Sequence, residues 1–169
     1  AASTVNTTGT GTISAGTVRL TSSTGMTSAA AITSRGIVEI SNTTGTATVS
    51  ATTNAAGNLT ISSPTVVVSA TQTTTNSGNI TITPNGGAYS GTGQLNSAGS
   101  ITISGGTNVD PTPTGAIQAV SNIVLRGSGQ ITTGASTTLT SSGGSVDVRT
   151  TGGLVILSNA VLASDSITV

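Results

Sequence analysis

The sequence predicts an all-β chain wound as a parallel β-helix, a β-solenoid of about eight coils, each of roughly 21 residues and three short strands. Three observations predict it. Composition is the first: 37 Thr, 25 Ser and 23 Gly make up half of the 169 residues. Thr, Ser, Gly, Asn and Val are poor helix formers, whereas Thr, Val and Ile suit a pleated strand. The second is a recurring five-residue unit: a small residue, a polar residue, then apolar-x-apolar. Its spacing is the third. The first apolar residue of the unit falls at 18, 38, 59, 80, 101, 123, 146 and 167, at intervals of 20 to 23 residues. Disordered chains are usually poor in apolar residues and high in net charge. Here the net charge is zero, and Val, Ile and Leu recur at a fixed phase.

The units follow one another along a single module spanning 1–169. Residues 1–15 hold Val5 and Ile13 but no unit, and read as a partial first coil. Strong strands are then predicted at 18–20, 38–40, 59–61, 80–82, 101–103, 123–125, 146–148 and 167–169. Strand side chains alternate, so each apolar-x-apolar pair sends two side chains inward and the middle one outward. Val18, Val38, Leu59, Ile80, Ile101, Ile123, Val146 and Ile167 are expected in one interior column. Leu20, Ile40, Ile61, Ile82, Ile103, Leu125, Val148 and Val169 are expected in its neighbour. The Gly before each strong strand is expected to supply a turn with positive φ, a conformation cheap for Gly or Asn alone.

Weaker apolar spots lie between the units, among them Val49, Val66, Val68, Ile117, Ile131, Leu139, Ile156 and Val161. They supply the remaining strands, with turns at Gly86-Gly87, Gly105-Gly106 and Gly152-Gly153. The segment from Asn108 to Pro113, with Pro at 111 and 113, reads as a turn insertion. An antiparallel sandwich also has short strands every ~8–12 residues, but it needs no five-residue signature at a fixed phase. Leucine-rich repeats share the period and require a consensus and helices that this chain lacks, and propeller blades need about twice the period.

The residues present exclude several functions. Four Arg against four Asp or Glu give no basic footprint for nucleic acid. Without Cys or His there are no disulfides, no thiolate or imidazole metal sites and no usual nucleophilic triad. No cofactor is expected. No apolar run reaches membrane-spanning length, and residues 1–15 show no basic region followed by an apolar stretch, so neither membrane insertion nor a signal peptide is expected.

Some β-helices are carbohydrate-active enzymes with paired carboxylates. Glu39 and Asp147 share an outward column but lie five coils apart, roughly 24 Å at ~4.8 Å per coil, against roughly 5–9.5 Å for a glycosidase pair. Asp147 and Asp165 are one coil apart, close enough to approach each other, with no further acid, His or Lys nearby in sequence. Catalysis is therefore not expected. Arg19 and Glu39 are expected to pair across adjacent coils. Arg126 and Arg149 are expected to stack beside Asp147, either as charge compensation or as an anionic contact. Thr60, Ser62, Thr81, Thr83, Thr102 and Ser104 form two outward hydroxyl columns over three coils, an expected surface-binding array. Such arrays are similar to those of ice-binding proteins, although charges flank this one on both sides. Asn6, Asn42, Asn58 and Asn79 each begin an Asn-x-Thr sequon.

Joined head to tail, the last strong strand and the first would stand about one period apart. Val5, Ile13, Val18, Ile167 and Val169 are thus the expected subunit junction. Either the C-terminal strand completes a neighbour's first coil by strand addition, or the chain continues as a tandem array; both give an open filament. The expected partners are further copies of the chain, with glycans or surfaces second.

Gly57-Asn58-Leu59-Thr60-Ile61, Gly78-Asn79-Ile80-Thr81-Ile82 and Gly99-Ser100-Ile101-Thr102-Ile103 carry a resemblance that extends over all eight units. They resemble the repeats of filamentous-haemagglutinin-like adhesins, which are bacterial two-partner-secretion exoproteins, and of related repetitive surface proteins. The resemblance implies a right-handed β-helix in a secreted, extracellular fibre or stalk at the cell surface. The expected function is a non-enzymatic structural β-solenoid. The alternative is an adhesin shaft that binds glycans or surfaces through its Thr/Ser/Asn face, with ice binding as a third reading.

Overall fold

The computed structural model describes residues 4–7, 11–112 and 115–169. All its regular elements are strands: 24 of them, in three eight-stranded parallel sheets. The first rung consists of β1 (Thr4–Thr7), β2 (Thr12–Ala15) and β3 (Val18–Ser22), one strand for each sheet. Every third strand returns to the same sheet, through to β22 (Val155–Ile156), β23 (Val161–Ala163) and β24 (Ile167–Thr168). This is a parallel β-solenoid, as the period predicts, with about seven turns from β3 to β24.

The third sheet, β3 to β24, contains the strong strands. Its register pairs Val18, Val38, Leu59, Ile80, Ile101, Ile123, Val146 and Ile167 in succession. Leu20, Ile40, Ile61, Ile82, Ile103, Leu125 and Val148 form the second column. From Val38 to Val148 these side chains are at most 1 % exposed. Three members depart from the expected burial. Leu20 is half-buried, Ile167 is 50 % exposed, and Val169 lies beyond β24 and is 66 % exposed. Each sits in a terminal rung, where within this chain a neighbouring rung packs on one side only.

The other two sheets have interior columns that the sequence shows less clearly. In the first sheet the column runs Met26, Ala47, Val66, Tyr89, Val109, Ile131 and Val155. In the second it runs Ile13, Ile32, Thr53, Gln72, Leu95, Ile117, Leu139 and Val161. The expected turn insertion after Gly106 is in fact a strand. Asn108–Pro111 pairs in parallel with Ala88–Gly91. Pro111 takes the last position of its strand, as Pro84 does in Ile80–Pro84, so each ring closes a strand rather than interrupting one. Pro113 lies outside the described residues.

The glycines before the strong strands have a different role from the expected one. Gly16, Gly36, Gly57, Gly78, Gly99 and Gly144 do not adopt positive φ; among the described residues, positive-φ glycines are Gly45, Gly86, Gly105 and Gly115. For Gly36, Gly78, Gly99 and Gly144 the requirement is space, whereas at Gly16 a Cβ would meet nothing within 4 Å. These glycines stack at the corner between the second and third sheets, where backbones of successive rungs approach closely. A Cβ on Gly36 would lie 2.5 Å from the Gly16 carbonyl oxygen. The corner is also hydrogen-bonded from inside: Ser34 Oγ donates to Gly16 O (3.0 Å), and Thr74 Oγ1 and Ser97 Oγ donate to Gly78 O (2.6 and 2.8 Å). Buried hydroxyls therefore add hydrogen bonds to corner carbonyls; that of Gly78 also accepts the Gly99 N–H of the next rung at 2.9 Å.

The polar residue next in the unit serves the same corner. The backbone N–H of Asn79 donates to Asn58 Oδ1 (2.9 Å), that of Ser100 to Asn79 Oδ1 (2.7 Å), and that of Ser145 to Asn122 Oδ1 (2.9 Å). Each side chain bridges one rung to the next.

Tyr89 is fully buried between Val66 and Val109, and its hydroxyl has no partner. Burial pushes the phenol well above its ordinary value. The folded value thus exceeds the unfolded one of about 10, so Tyr89's contribution to stability is intact below pH ~10 and declines as pH rises beyond it. Tyr89→Phe removes an orphaned hydroxyl. It is expected to raise stability at pH 7 by about 1 kcal/mol or leave it unchanged, and to lessen the alkaline loss. Urea unfolding at pH 7 and pH 11 checks both; a clear loss at pH 7 would contradict this account of the hydroxyl.

Candidate functional site

Because the rungs stack in register, the outward residues of each sheet also form columns. In the third sheet one column runs Arg19, Glu39, Thr60, Thr81, Thr102, Val124, Asp147 and Thr168. Beside it, Ser62 pairs with Thr83, and Arg126 pairs with Ser104 on one side and Arg149 on the other. Thr60, Ser62, Thr81, Thr83, Thr102 and Ser104 are all half-buried on this face. Ser62 is not free, since its hydroxyl accepts from Asn85 Nδ2 at 2.9 Å. Glu39 adjoins Thr60 and Arg126 adjoins Ser104, so the hydroxyl array is bounded by charge on both sides.

Those charges pair among themselves. Arg19 Nε stands 2.9 Å from Glu39 Oε2. Asp147 lies between two guanidiniums, with Arg126 Nη2 at 2.6 Å from Oδ2 and Arg149 Nε at 2.8 Å from Oδ1. All three arginines are more than half exposed, a setting in which ion pairs typically contribute ~0–1 kcal/mol. Asp147 and Asp165 are not brought together. Asp147 faces Thr168 in the register, whereas Asp165 accepts from Ser145 Oγ at 3.1 Å. Glu39 and Asp147 stay in one column with Thr60, Thr81, Thr102 and Val124 between them. Asp110 faces outward from the first sheet opposite Ser90. Among the described residues no three His, Cys, Asp or Glu side chains gather as metal ligands.

The sequons divide by position. Asn42 is buried and donates to Ser63 Oγ at 3.2 Å, so it is closed to a glycan in the folded chain. Asn58 and Asn79 are exposed, but their side chains accept the corner N–H groups. The side chain of Asn6 lies outside the described residues.

The residues expected at a subunit junction fall at opposite ends of the rod. Ile13 is half-buried and Val18 buried in the first rung, while Ile167 and Val169 are exposed in the last. The backbone of Val5 pairs with Met26; its side chain lies outside the described residues.

One outward column escapes sequence reasoning. On the second sheet Asn54, Thr73, Asn96, Gln118 and Thr140 are stacked partners. Their spacings of 19 to 23 residues match the repeat, but the strands that carry them lack the apolar-x-apolar signature that would mark the phase.

Compared with protein-family models, curated proteins and solved structures, the chain matches none.

Proposed function

We propose that this chain is a non-enzymatic structural β-solenoid, a rod segment of an extracellular filament, fibre or stalk of the filamentous-haemagglutinin-like kind. The observation that carries the reading is the rung-on-rung stacking, in which the strands of each sheet pair in unbroken parallel succession. The exposed large hydrophobic side chains fall mainly on the last rung: Ile167 ends an interior column, whereas Ile156 and Leu162 face outward opposite Thr132 and Thr140. Elsewhere among the described residues, Val120 alone is an exposed large hydrophobic side chain. A rod of this kind extends by stacking a further rung, which pairs the backbone and covers interior positions such as Ile167. That further rung comes from a second copy, stacked end to end, or from tandem repetition of the same coil.

The interior supports the same reading. Its aliphatic columns continue from rung to rung through the described residues, past a single register shift between Ser104 and Gly106 in the third sheet, as a shaft requires. The outside is rich in hydroxyls and carries few charges, several of which are paired. Electron microscopy of the purified chain tests the proposal. Fibres with an axial repeat of roughly 38 Å are expected, from eight rungs at ~4.8 Å each. Particles that remain single at every concentration overturn the stacking of copies.

A further inference from the structure

The second sheet carries a groove of about 300 Å³ whose lining includes Thr73, Asn96, Gln118 and Thr140 along the outward column, with Ala119 and Val120 beside them. Two features set it apart. First, its amides are spare. Asn58, Asn79, Asn108 and Asn122 accept backbone N–H groups, and Asn42, Asn85, Gln72 and Gln130 donate to neighbouring oxygens. The side chains of Asn96, half-buried, and Gln118, exposed, make no hydrogen bond within the chain among the described residues, as is also true of Asn54 in the same column, and Asn96 and Gln118 stack directly on one another. Second, no charged side chain lines the groove, and Val120, 52 % exposed, adds an apolar patch in mid-rod.

The geometry points to a binding site for an uncharged, hydroxyl-rich ligand: a neutral oligosaccharide lying along the rod axis. A carboxamide offers donors and an acceptor at once, which matches a sugar hydroxyl that is both. Thr73 and Thr140 extend the same capacity one rung to either side. Ala119 and Val120 provide the apolar contact that the C–H face of a sugar ring requires, completing the mix of apolar lining and few polar groups typical of ligand sites. The sheet fixes the backbone positions and spacing of these groups before binding, so the ordering cost falls on the amide side chains and not on a loop. An acidic ligand gains nothing here, because the arginines Arg126 and Arg149 belong to the third sheet. This site goes beyond the rod reading and does not depend on it.

Titration of the isotopically labelled full chain, followed by NMR, tests the site. The probes are linear neutral hexasaccharides of glucose, mannose and N-acetylglucosamine, with an acidic oligogalacturonate as comparator. At least one neutral probe is expected to shift the side-chain amide signals of Asn96 and Gln118 while leaving those of Asn58 and Asn79 in place. The double variant Asn96→Ala, Gln118→Ala is expected to bind about 10-fold more weakly or worse with an unchanged unfolding midpoint. Thr81→Ala, on the third sheet, is expected to bind as the original chain does. No shift at these amides with millimolar neutral probe, shifts from the acidic comparator alone, or shifts centred on another sheet would each overturn the assignment. So would a double variant that binds undiminished. Should that variant fail to fold, the shift map of the unmodified chain decides.

Discussion

Ile82→Asp is expected to unfold the chain at neutral pH, while Thr81→Asp, one residue away, leaves it folded. Ile82 is fully buried in the third sheet between Ile61 and Ile103. Truncating a buried isoleucine costs about 2–5 kcal/mol through lost burial and the cavity left behind. The new carboxyl finds only aliphatic neighbours in its column, and a buried polar group without a partner adds a further penalty of at least ~1–3 kcal/mol. Together these approach the ~5–15 kcal/mol that holds a typical domain together.

The damage should depend on pH in a definite direction. An apolar site favours the neutral carboxyl, so the folded-state pKa of the new group is raised above its unfolded value of about 3.9. The variant is therefore least destabilised below that value and loses stability as pH rises through it. Thr81 pairs with Thr60 and Thr102 and is half-buried on the outward side, so Thr81→Asp should cost no more than about 1 kcal/mol. Circular dichroism with urea melts at pH 3 and pH 7 separates the two. Equal damage from both substitutions would mean that the inward and outward assignment of this strand is wrong.

The third sheet was legible in the sequence because its inward positions are nearly all Val, Ile or Leu and its outward ones, Val124 apart, are polar or charged. The contrast survives every turn but that of residues 123–125. In the other sheets it fades for a physical reason. Small and polar residues fit inside where the coil is narrow or where a hydroxyl can reach a corner carbonyl, so Ala47, Thr53, Gln72 and Ser97 interrupt the apolar pattern. Gln72 is fully buried, yet its amide nitrogen donates to Ala70 O at 2.8 Å. Asn108–Pro111 was hidden in the same way, by prolines that close a strand instead of breaking it.

The candidate sites follow the same division. A fixed spacing was enough to place Arg19 opposite Glu39 and Arg126 opposite Arg149, because their phase is set by the strong strands. The Asn96 and Gln118 column has no such marker, and the groove beside it depends on how neighbouring corners are shaped. That Asn96 and Gln118 are spare was equally invisible, since it requires knowing that amides such as Asn58, Asn79 and Asn122 bridge rungs while these do not.

Gly78→Ala is expected to be the most damaging methyl that can be added to the corner. The added Cβ would meet backbone on two sides: the carbonyl oxygen of Gly57 in the preceding rung, its carbon at 2.7 Å, and the Thr75 oxygen at 2.9 Å. No side chain is there to rotate away, so two rungs must separate, and close-packed interiors resist such shifts. The consequences converge on one carbonyl. Gly78 O accepts from Thr74 Oγ1, Ser97 Oγ and the Gly99 N–H at 2.9 Å, while the Gly78 N–H donates to Thr75 O at 2.8 Å. The preceding Asn76 and Ser77 are already held at positive φ (49° and 62°), a conformation with its own cost. Overpacking of this kind costs about 1–3 kcal/mol, and more where hydrogen bonds are also lost. A drop in unfolding midpoint of about 5–10 °C is expected for a chain of this length. Two other alanines make the comparison informative. At Gly57 the nearest atoms are 3.3–3.4 Å from the added carbon, so Gly57→Ala should be milder. At Gly86 nothing lies within 4 Å but φ is +87°, so Gly86→Ala tests backbone strain without crowding. If Gly78→Ala proves no worse than Gly86→Ala, close approach is not why the corner uses glycine. If it is clearly worse, glycines such as Gly36 and Gly78 open their strong units to make room for the neighbouring rung's backbone.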